Sequence, residues 1–359
     1  MSKRNYKNKA PFSTLHPNPE HWTRKGNSFK QKVAYETEDD AWEFLNQNPR
    51  LKAIGFTCYQ CKICSMWHVG RLKTRETMNK TLQKKIERAI RLLQSIRLEN
   101  DEPIEIAYSG GKDSDVILEL ARMADIKYKA IYKCTTIDPP GTIKHALDNG
   151  CEIRRPKKPF FQLLREQGLP NRFMRFCCRE LKEYPIYYNC VIGVRKAEST
   201  KRNERYKEPV VCREYSSKSR VQQILPILDW TDEEELEFIN ERKIKLHPLY
   251  YDENGNVDIK RRLGCLCCPL KSPRKRMEDF KKYPNMLRQY IRNAKVYFDT
   301  HPNIAAHKWA ANIYEWVFAE MLFARHSDYM DKFKNTLFPP EESWYKNRLE
   351  EMFKVDLTL

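Results

Sequence analysis

The segment from Ile106 to Leu118, IAYSGGKDSDVIL, restricts the possible folds more than any other stretch of the chain. A short apolar run leads into a turn with two adjacent glycines, and the residues beyond it return to helical spacing. That is a strand–turn–helix junction. Successive main-chain N–H groups in such a turn, backed by a helix N-terminus, form a cradle for an anion. Lys112 adds a positive charge, and Ser109 and Ser114 add hydroxyls beside Gly110 and Gly111. Asp113 is the odd member, because a carboxylate repels phosphate. Its expected role is to cap the helix, to hold Lys112 or to help bind Mg²⁺. The spacing differs from G-x-x-x-x-G-K-[ST], so the phosphate is held differently from that of the common P-loop. Lys112 is expected on an exposed part of the turn.

From Ile104 onward the pattern alternates. IEIAYS, KYKAIYKC, CEIRRP and NCVIGVRKAES read as strands, separated by helical stretches such as SDVILELARMA and PFFQLLREQG. Repeated units of this length predict an α/β fold, a parallel sheet with helices on both faces. Ligands of such sheets sit at the carboxyl ends of strands, where the glycine turn lies. Thr231 with Glu234 forms a capping box for a following helix. Four regions are expected: a basic extended arm over 1–33, a small knuckle unit over 34–75, a nucleotide-binding domain over 76–270 and a helical C-terminal region over 271–359.

The chain carries 12 cysteines. No apolar run approaches the length of a membrane span and the N-terminus lacks a secretory h-region, so a soluble, cytoplasmic protein is expected. Grouped cysteines in that setting point to metal or redox chemistry. Cys134, Cys151 and Cys190 lie in or beside apolar segments and read as small core residues. Cys177 and Cys178 are adjacent, and GCLCCP contains Cys265-x-x-Cys268 with Cys267 as an extra thiol. Four thiolates suit either tetrahedral Zn²⁺ or an iron–sulfur cluster. Upstream, CYQCKICSMWH supplies Cys58, Cys61, Cys64 and His68, a Cys₃His set that could close a structural zinc site within one segment. A second cluster would also accept the C-x₂-C-x₂-C spacing. The formal charge of +18 calls for an anionic partner, and KSPRKR (271–276) offers basic side chains for one.

SGGKDS resembles the pyrophosphate loop of the adenine nucleotide alpha-hydrolase-like enzymes. More specifically, the chain resembles the phosphoadenosine phosphosulfate reductase family. TTIDPPGTI (135–143), RFCCRELKEYP (175–185), GVRKAESTKR (193–202), LPILDWTDEEELEFI (225–239) and LYYDENG…RRLGCLCCPL (249–270) follow in that family's order. The resemblance implies a nucleotide site at Ser109–Ser114, with Asp138 near the substrate end and Gly193 and Arg195 from the fourth strand. Arg195 is expected to meet phosphate or sulfate through two parallel N–H bonds. The pattern CC…CxxC resembles the [4Fe–4S] branch of the family, which makes Cys177, Cys178, Cys265 and Cys268 its implied ligands. The N-terminal segment is similar to small zinc-ribbon knuckles.

Reductases of that family use a cysteine near the C-terminus, whereas no cysteine follows Cys268. The reading that follows is an enzyme using ATP or an adenylyl sulfate for sulfur transfer or reduction, with Lys112, Asp113 and Arg195 as its catalytic candidates. Nucleic acid is a candidate acceptor, and the protein that donates electrons or sulfur is not identified. The competing readings are a reductase of small adenylyl sulfates and a non-catalytic nucleic-acid-binding protein on a relict nucleotide fold.

Overall fold

The computed structural model describes residues 21–25, 28–53, 56–61, 63–70, 75–98, 101–216 and 219–358. Most of the expected N-terminal arm, residues 1–20, lies outside the described residues. The chain forms two compact units, Met1–Gln83 and Lys84–Leu359.

The described part of the first unit begins with a hairpin where an extended arm was expected. Strands β1 (Trp22–Lys25) and β2 (Ser28–Gln31) pair antiparallel, and the Lys32 N–H donates to the His21 carbonyl at 2.9 Å. Helix α1 (Glu38–Asn46) starts at Thr37, whose hydroxyl accepts from the Asp40 N–H, and three acidic residues complement the dipole of its first turn. After α2 (Pro49–Ala53) a second hairpin joins β3 (Thr57–Gln60) to β4 (Trp67–Gly70). Helix α3 (Arg75–Gln94) carries the chain into the second unit.

The second unit holds a six-stranded sheet. Its strands are β5 (Ile104–Tyr108), β6 (Tyr128–Lys133), β7 (Glu152–Arg154), β8 (Asn189–Val191), β9 (Val210–Ser216) and β10 (Ser219–Ile224), in the spatial order β7-β6-β5-β8-β10-β9. Five strands run parallel, and β9 pairs antiparallel with β10 at the edge, so the sheet is mixed rather than wholly parallel. Along β9 the exposed Cys212 and Glu214 alternate with the half-buried Val211 and Arg213, as in a strand with one solvated face. Helices α4 (Lys112–Met123) and α5 (Thr142–Asp148) cross from β5 to β6 and from β6 to β7. Helices α6 (Phe160–Gln167) and α7 (Phe176–Leu181) then return the chain to β8 on the other side of β5. With right-handed crossovers, that reversal puts helices on both faces and opens a crevice between the carboxyl ends of β5 and β8.

Beyond β10, α8 (Thr200–Arg205) having come before β9, helix α9 (Asp232–Glu241) begins at the expected capping box. The helical region comprises α10 (Pro273–Lys282), α11 (Pro284–Thr300), α12 (Ile313–Leu322), α13 (His326–Tyr329) and α14 (Glu342–Phe353). One apolar core joins it to the sheet domain: Phe160, Leu164 and Phe176 pack with Phe280, Leu287, Tyr290 and Phe353. Cys134, Cys151 and Cys190 are buried, in keeping with their apolar surroundings. Among the described residues, no helix is long and apolar enough to cross a membrane.

Glu105 is fully buried in β5. It accepts from Lys133 Nζ of β6 at 2.6 Å and from the main-chain N–H groups of Ile186 (2.8 Å) and Tyr187 (3.3 Å), which precede β8. One carboxylate thus fastens three neighbouring segments. Removing it strands a buried ammonium and two N–H groups, so Glu105→Ala should lower stability by about 3–5 kcal/mol. Urea unfolding would show this as a lower midpoint at unchanged slope.

Candidate nucleotide and metal sites

The glycine turn follows β5 at the crevice. Gly110 has φ +76°, and a Cβ there would lie 2.8 Å from Thr142 Cγ2 and 3.2 Å from Leu263 Cδ2. Only glycine combines that left-handed backbone with so close an approach. Within the turn, Ser114 Oγ donates to the Gly111 carbonyl at 2.6 Å and the Gly111 N–H to Ser109 Oγ at 3.3 Å. The Tyr250 hydroxyl accepts from the Lys112 N–H and from the Leu263 N–H, each at 3.2 Å. A tyrosine in LYYDENG therefore ties the turn to the segment that enters Cys265-x-x-Cys268.

Lys112 is not exposed, as the sequence suggested; it is 3% exposed. Its Nζ lies 2.8 Å from Glu235 Oε2 and 3.2 Å from Asp113 Oδ2. Arg195, 1% exposed, completes the network with Nε 2.7 Å from Asp113, Nη1 2.8 Å from Asp232 and Nη2 2.8 Å from Glu235. Two cations thus face three carboxylates. Burial and the Asp113 carboxylate push Glu235 up toward about 8, against the pull of Lys112 and Arg195. Burial works against the Asp113 anion too, but Lys112 and Arg195 outweigh it and hold its pKa below the usual value. Gly193 has a steric role: a Cβ there would lie 2.8 Å from the Asp113 carbonyl oxygen. Glu235 escaped the sequence reading because it sits in an acidic run that reads as a solvated helix start.

Asp138 lies past β6, where its carboxylate accepts from the Thr135 N–H at 2.7 Å. Next to it, the Ile137 carbonyl accepts from the Leu266 N–H at 2.8 Å, which docks the CxxC segment on the end of β6. There the two cysteine pairs meet. The Cys177 thiol shares a hydrogen bond with Cys178, which pulls Cys178 down to about 7 and drives Cys177 far above the thiol range. The charges of Cys265 and Cys268 add to the rise at Cys177. Lys182 also belongs here. Burial disfavours its charge, but Cys265 and Asp138 offset this and raise its pKa. The Tyr290 hydroxyl is buried with no hydrogen-bond partner, amid the charges of these cysteines. Cys267 turns into the apolar core behind the quartet. It is fully buried in the helical core at φ +53°, and its N–H donates to Asp279 at 2.7 Å.

In the first unit, His21, Cys61, Cys64 and His68 are all buried, and one ligand atom from each lies within 4.8 Å of the others. Cys61 Sγ is 3.6 Å from His21 Nδ1, and Cys64 Sγ is 3.3 Å from His68 Nε2. His68 Nδ1 faces the Val33 carbonyl at 2.5 Å, which fixes the tautomer with Nε2 free to ligate. Burial lowers the His68 pKa and so favours the neutral ring that a metal needs. His21 Nε2 meets the Gln31 amide at 2.8 Å, leaving Nδ1 toward Cys61. The set is Cys₂His₂, not the expected Cys₃His, and Cys58 is outside it. Along β3 side chains alternate. Tyr59 is the cross-strand partner of His68, whereas Cys58 opposes Val69 on the other face. There, burial and then the Glu38 carboxylate push the Cys58 thiol up. His21 lay in the presumed arm, and no spacing rule links it to a cysteine 40 residues away.

Arg276 also departs from expectation. It is buried, and its guanidinium donates at 2.9 Å to the carbonyls of Glu320 and Phe323. Of the basic run, Arg274 and Lys275 are exposed, and Arg274 pairs with Glu278.

Two expectations follow. His21→Ala and Cys61→Ser should each abolish zinc binding by the first unit, while Cys58→Ser should retain it, as elemental analysis of the purified proteins would show. Lys112→Ala should cost about 1–3 kcal/mol, because it removes one of the two cations that hold the buried Glu235 and leaves Arg195 as its remaining partner. Lys112→Met combined with Glu235→Gln should cost less than the two single changes added together, by about 0.5–3 kcal/mol in a denaturation cycle.

The family profile described as "Phosphoadenosine phosphosulfate reductase domain" matches residues 103–271. An uncharacterised protein of Methanocaldococcus jannaschii is 29% identical over 212 residues, covering 53% of this chain and 42% of its own. The chain spans less than half the length of the curated relatives it matches. Among solved structures, a phosphoadenylyl-sulfate reductase of Candida auris in a phosphate complex overlaps 52% of this chain and 95% of its own, at 15% identity and a TM-score of 0.33. A U34-tRNA thiolase of Methanococcus maripaludis with its [4Fe–4S] cluster overlaps 69% of this chain and 88% of its own, at 15% identity and a TM-score of 0.33. Residues 103–271 form a domain like that of the phosphoadenosine phosphosulfate reductases.

Proposed function

We propose that the second unit binds an adenine nucleotide at Ser109–Ser114 and delivers sulfur to a nucleic-acid acceptor, with an iron–sulfur cluster held by Cys177, Cys178, Cys265 and Cys268. One observation carries this reading: the segment leading into the CxxC pair is built onto the glycine turn. Leu263 closes on Gly110, the Tyr250 hydroxyl bridges Lys112 and Leu263, and Cys265 follows two residues later. A nucleotide in the turn and a group on the quartet would therefore be neighbours.

The donor set and the unpartnered Tyr290 hydroxyl beside it fit a sulfur-rich group. A single Zn²⁺ with bonds of about 2.3 Å would draw four thiolates to about 3.8 Å from one another. Among the described residues, only the first unit's His/Cys set gathers its ligand atoms within 4.8 Å, which suits that set to zinc. When bound, the cluster would supply electron-transfer or sulfur-ligating chemistry.

The protein's own residues do the rest. In the bound state the main-chain N–H groups of Gly110 and Gly111 would meet the phosphates, with the Ser109 and Ser114 hydroxyls, which now bond within the turn, reorienting toward them. Lys112 and Arg195 hold the turn through Glu235 and Asp113 instead of lending the phosphates their whole charge. The counter-charge would then fall to the N–H cradle and to Mg²⁺ brought with the nucleotide, which Asp113 would help to hold. An acceptor oxygen attacks the α-phosphate, the α–β bridge breaks and pyrophosphate leaves. Hydrosulfide then attacks the activated atom and displaces AMP, which carries the acceptor oxygen away and leaves sulfur in its place. The family match favours a second reading, in which an adenylyl sulfate occupies the turn and is reduced.

Anaerobically purified protein should contain about four irons per chain, lost in Cys178→Ser but not in Cys61→Ser. With ATP and a nucleic-acid acceptor it should release pyrophosphate, followed by AMP once sulfide is present. Sulfite release from an adenylyl sulfate, without pyrophosphate from ATP, would establish the second reading. Absence of binding to either nucleotide by calorimetry would defeat both.

A further inference from the structure

A cavity of about 410 Å³ opens beside the cysteine quartet, walled by Pro269, Arg172, Phe173, Arg276, Glu320 and Arg325 among others. Pro269 directly follows Cys268, and Arg172 and Phe173 lie on the loop that runs into Cys177. From these features we infer that this cavity receives one unstacked nucleotide of a nucleic-acid single strand, with its phosphate at Arg172 and Arg325 and its base against Phe173 and Glu320. The inference rests on the nucleic-acid acceptor proposed above and names where that acceptor enters.

Charge comes first. Arg172, Arg276 and Arg325 stand against the single carboxylate of Glu320. Arg276 is a fixed charge: it is buried, held by two carbonyls, and its Nε has no hydrogen-bond partner. Arg172 and Arg325 are exposed and form no ion pair with any described residue, so an incoming phosphate would be their counter-ion. Shape comes next. Phe173 is 95% exposed, an unusual position for a large apolar ring, yet the backbone that presents it is fixed. Asn171 Oδ1 accepts from the N–H groups of Phe173 (2.9 Å) and Met174 (2.8 Å). A ring held out in this way beside arginines is a stacking platform of the kind that single-strand binders use.

Glu320 supplies recognition. Its carboxylate is half-buried at the cavity wall, bonds to no described residue and can accept from the amino or imino edge of a base. Pairing in a duplex occupies the imino N–H and one amino N–H of a base, so reading that edge calls for a nucleotide that is unstacked or already single-stranded. The volume falls within the range of small-molecule sites, roughly 300–1,000 Å³. A nucleotide seated here would hold its sugar–phosphate backbone near Cys268.

Fluorescence anisotropy with a short labelled DNA strand, the RNA of the same sequence and the matching duplex tests the inference on the full-length holoprotein. The replaced side chains are exposed, so the variants should fold. Arg172→Ala with Arg325→Ala should weaken single-strand binding about tenfold or more and reduce the log–log salt slope by about 0.7, for the one phosphate the two arginines share. Phe173→Ala should weaken binding roughly fivefold or more, as loss of stacking on one base does, and leave the slope unchanged. The DNA and RNA arms tell the two sources of strand apart. Wild-type affinity and slope in both variants would overturn the inference, as would a preference for duplex that Phe173→Ala does not alter. ATP binding to wild-type protein, measured in parallel, separates the two readings: lost strand binding without ATP binding would sink the proposed function and leave the cavity's role standing.

Discussion

The second unit is organised around the buried charge network of Lys112, Asp113, Arg195, Asp232 and Glu235. These residues come from three places: the start of α4, the segment after β8 and the start of α9. Each charge is expensive to bury alone, and its cost is offset only when all three segments dock together. The network therefore sets the position of the glycine turn relative to β8, and Gly193 is the clearance that this docking requires. It also changes the chemistry expected of the turn. Lys112 and Arg195 would be phosphate ligands if they were free, but they are already shared among three carboxylates. What the turn has left to offer an anion is chiefly its main-chain N–H groups, whose geometry the buried network holds.

The carboxyl edge of the sheet then gathers the remaining chemistry. The chain reverses direction between β5 and β8, and the crevice this leaves is bordered by the turn after β5, the TTID segment after β6 and the GVR segment after β8. Tyr250 and the Ile137–Leu266 hydrogen bond add the CxxC segment to that edge, while α7 brings Cys177 and Cys178. The helical region packs against α6 and α7 through a continuous apolar core and so backs the cysteines with Tyr290 and Cys267. It also supplies the far wall of the cavity beside Pro269. The glycine turn, the cysteine quartet and the basic cavity thus lie along one edge of the sheet domain.

The first unit is simpler in its physics. Among its described residues, two hairpins and two short helices enclose little apolar surface. Four buried ligands within reach of one ion are the usual remedy at that size. His21 closes the set from the far hairpin, so a bound metal would cross-link strands that share few other contacts.

Much of this was legible in the residues. The alternation of apolar strands and amphipathic helices dictated an α/β sheet, the glycine turn marked its carboxyl edge, and Thr231 with Glu234 marked the start of α9, because these signals are local and repeat with the period of the backbone. The paired spacings of Cys177–Cys178 and Cys265–Cys268 marked them as candidate ligands for the same reason. Partnerships across the fold were not legible. Nothing near Lys112 announces Glu235, nothing in the N-terminal arm announces His21, and nothing in KSPRKR separates the buried Arg276 from its exposed neighbours. Cys58 and Cys61 look equivalent in sequence, yet strand alternation and register turn the first away from His68. Burial, charge pairing and ligand convergence depend on distances between segments far apart in the chain, and only tertiary packing fixes those distances.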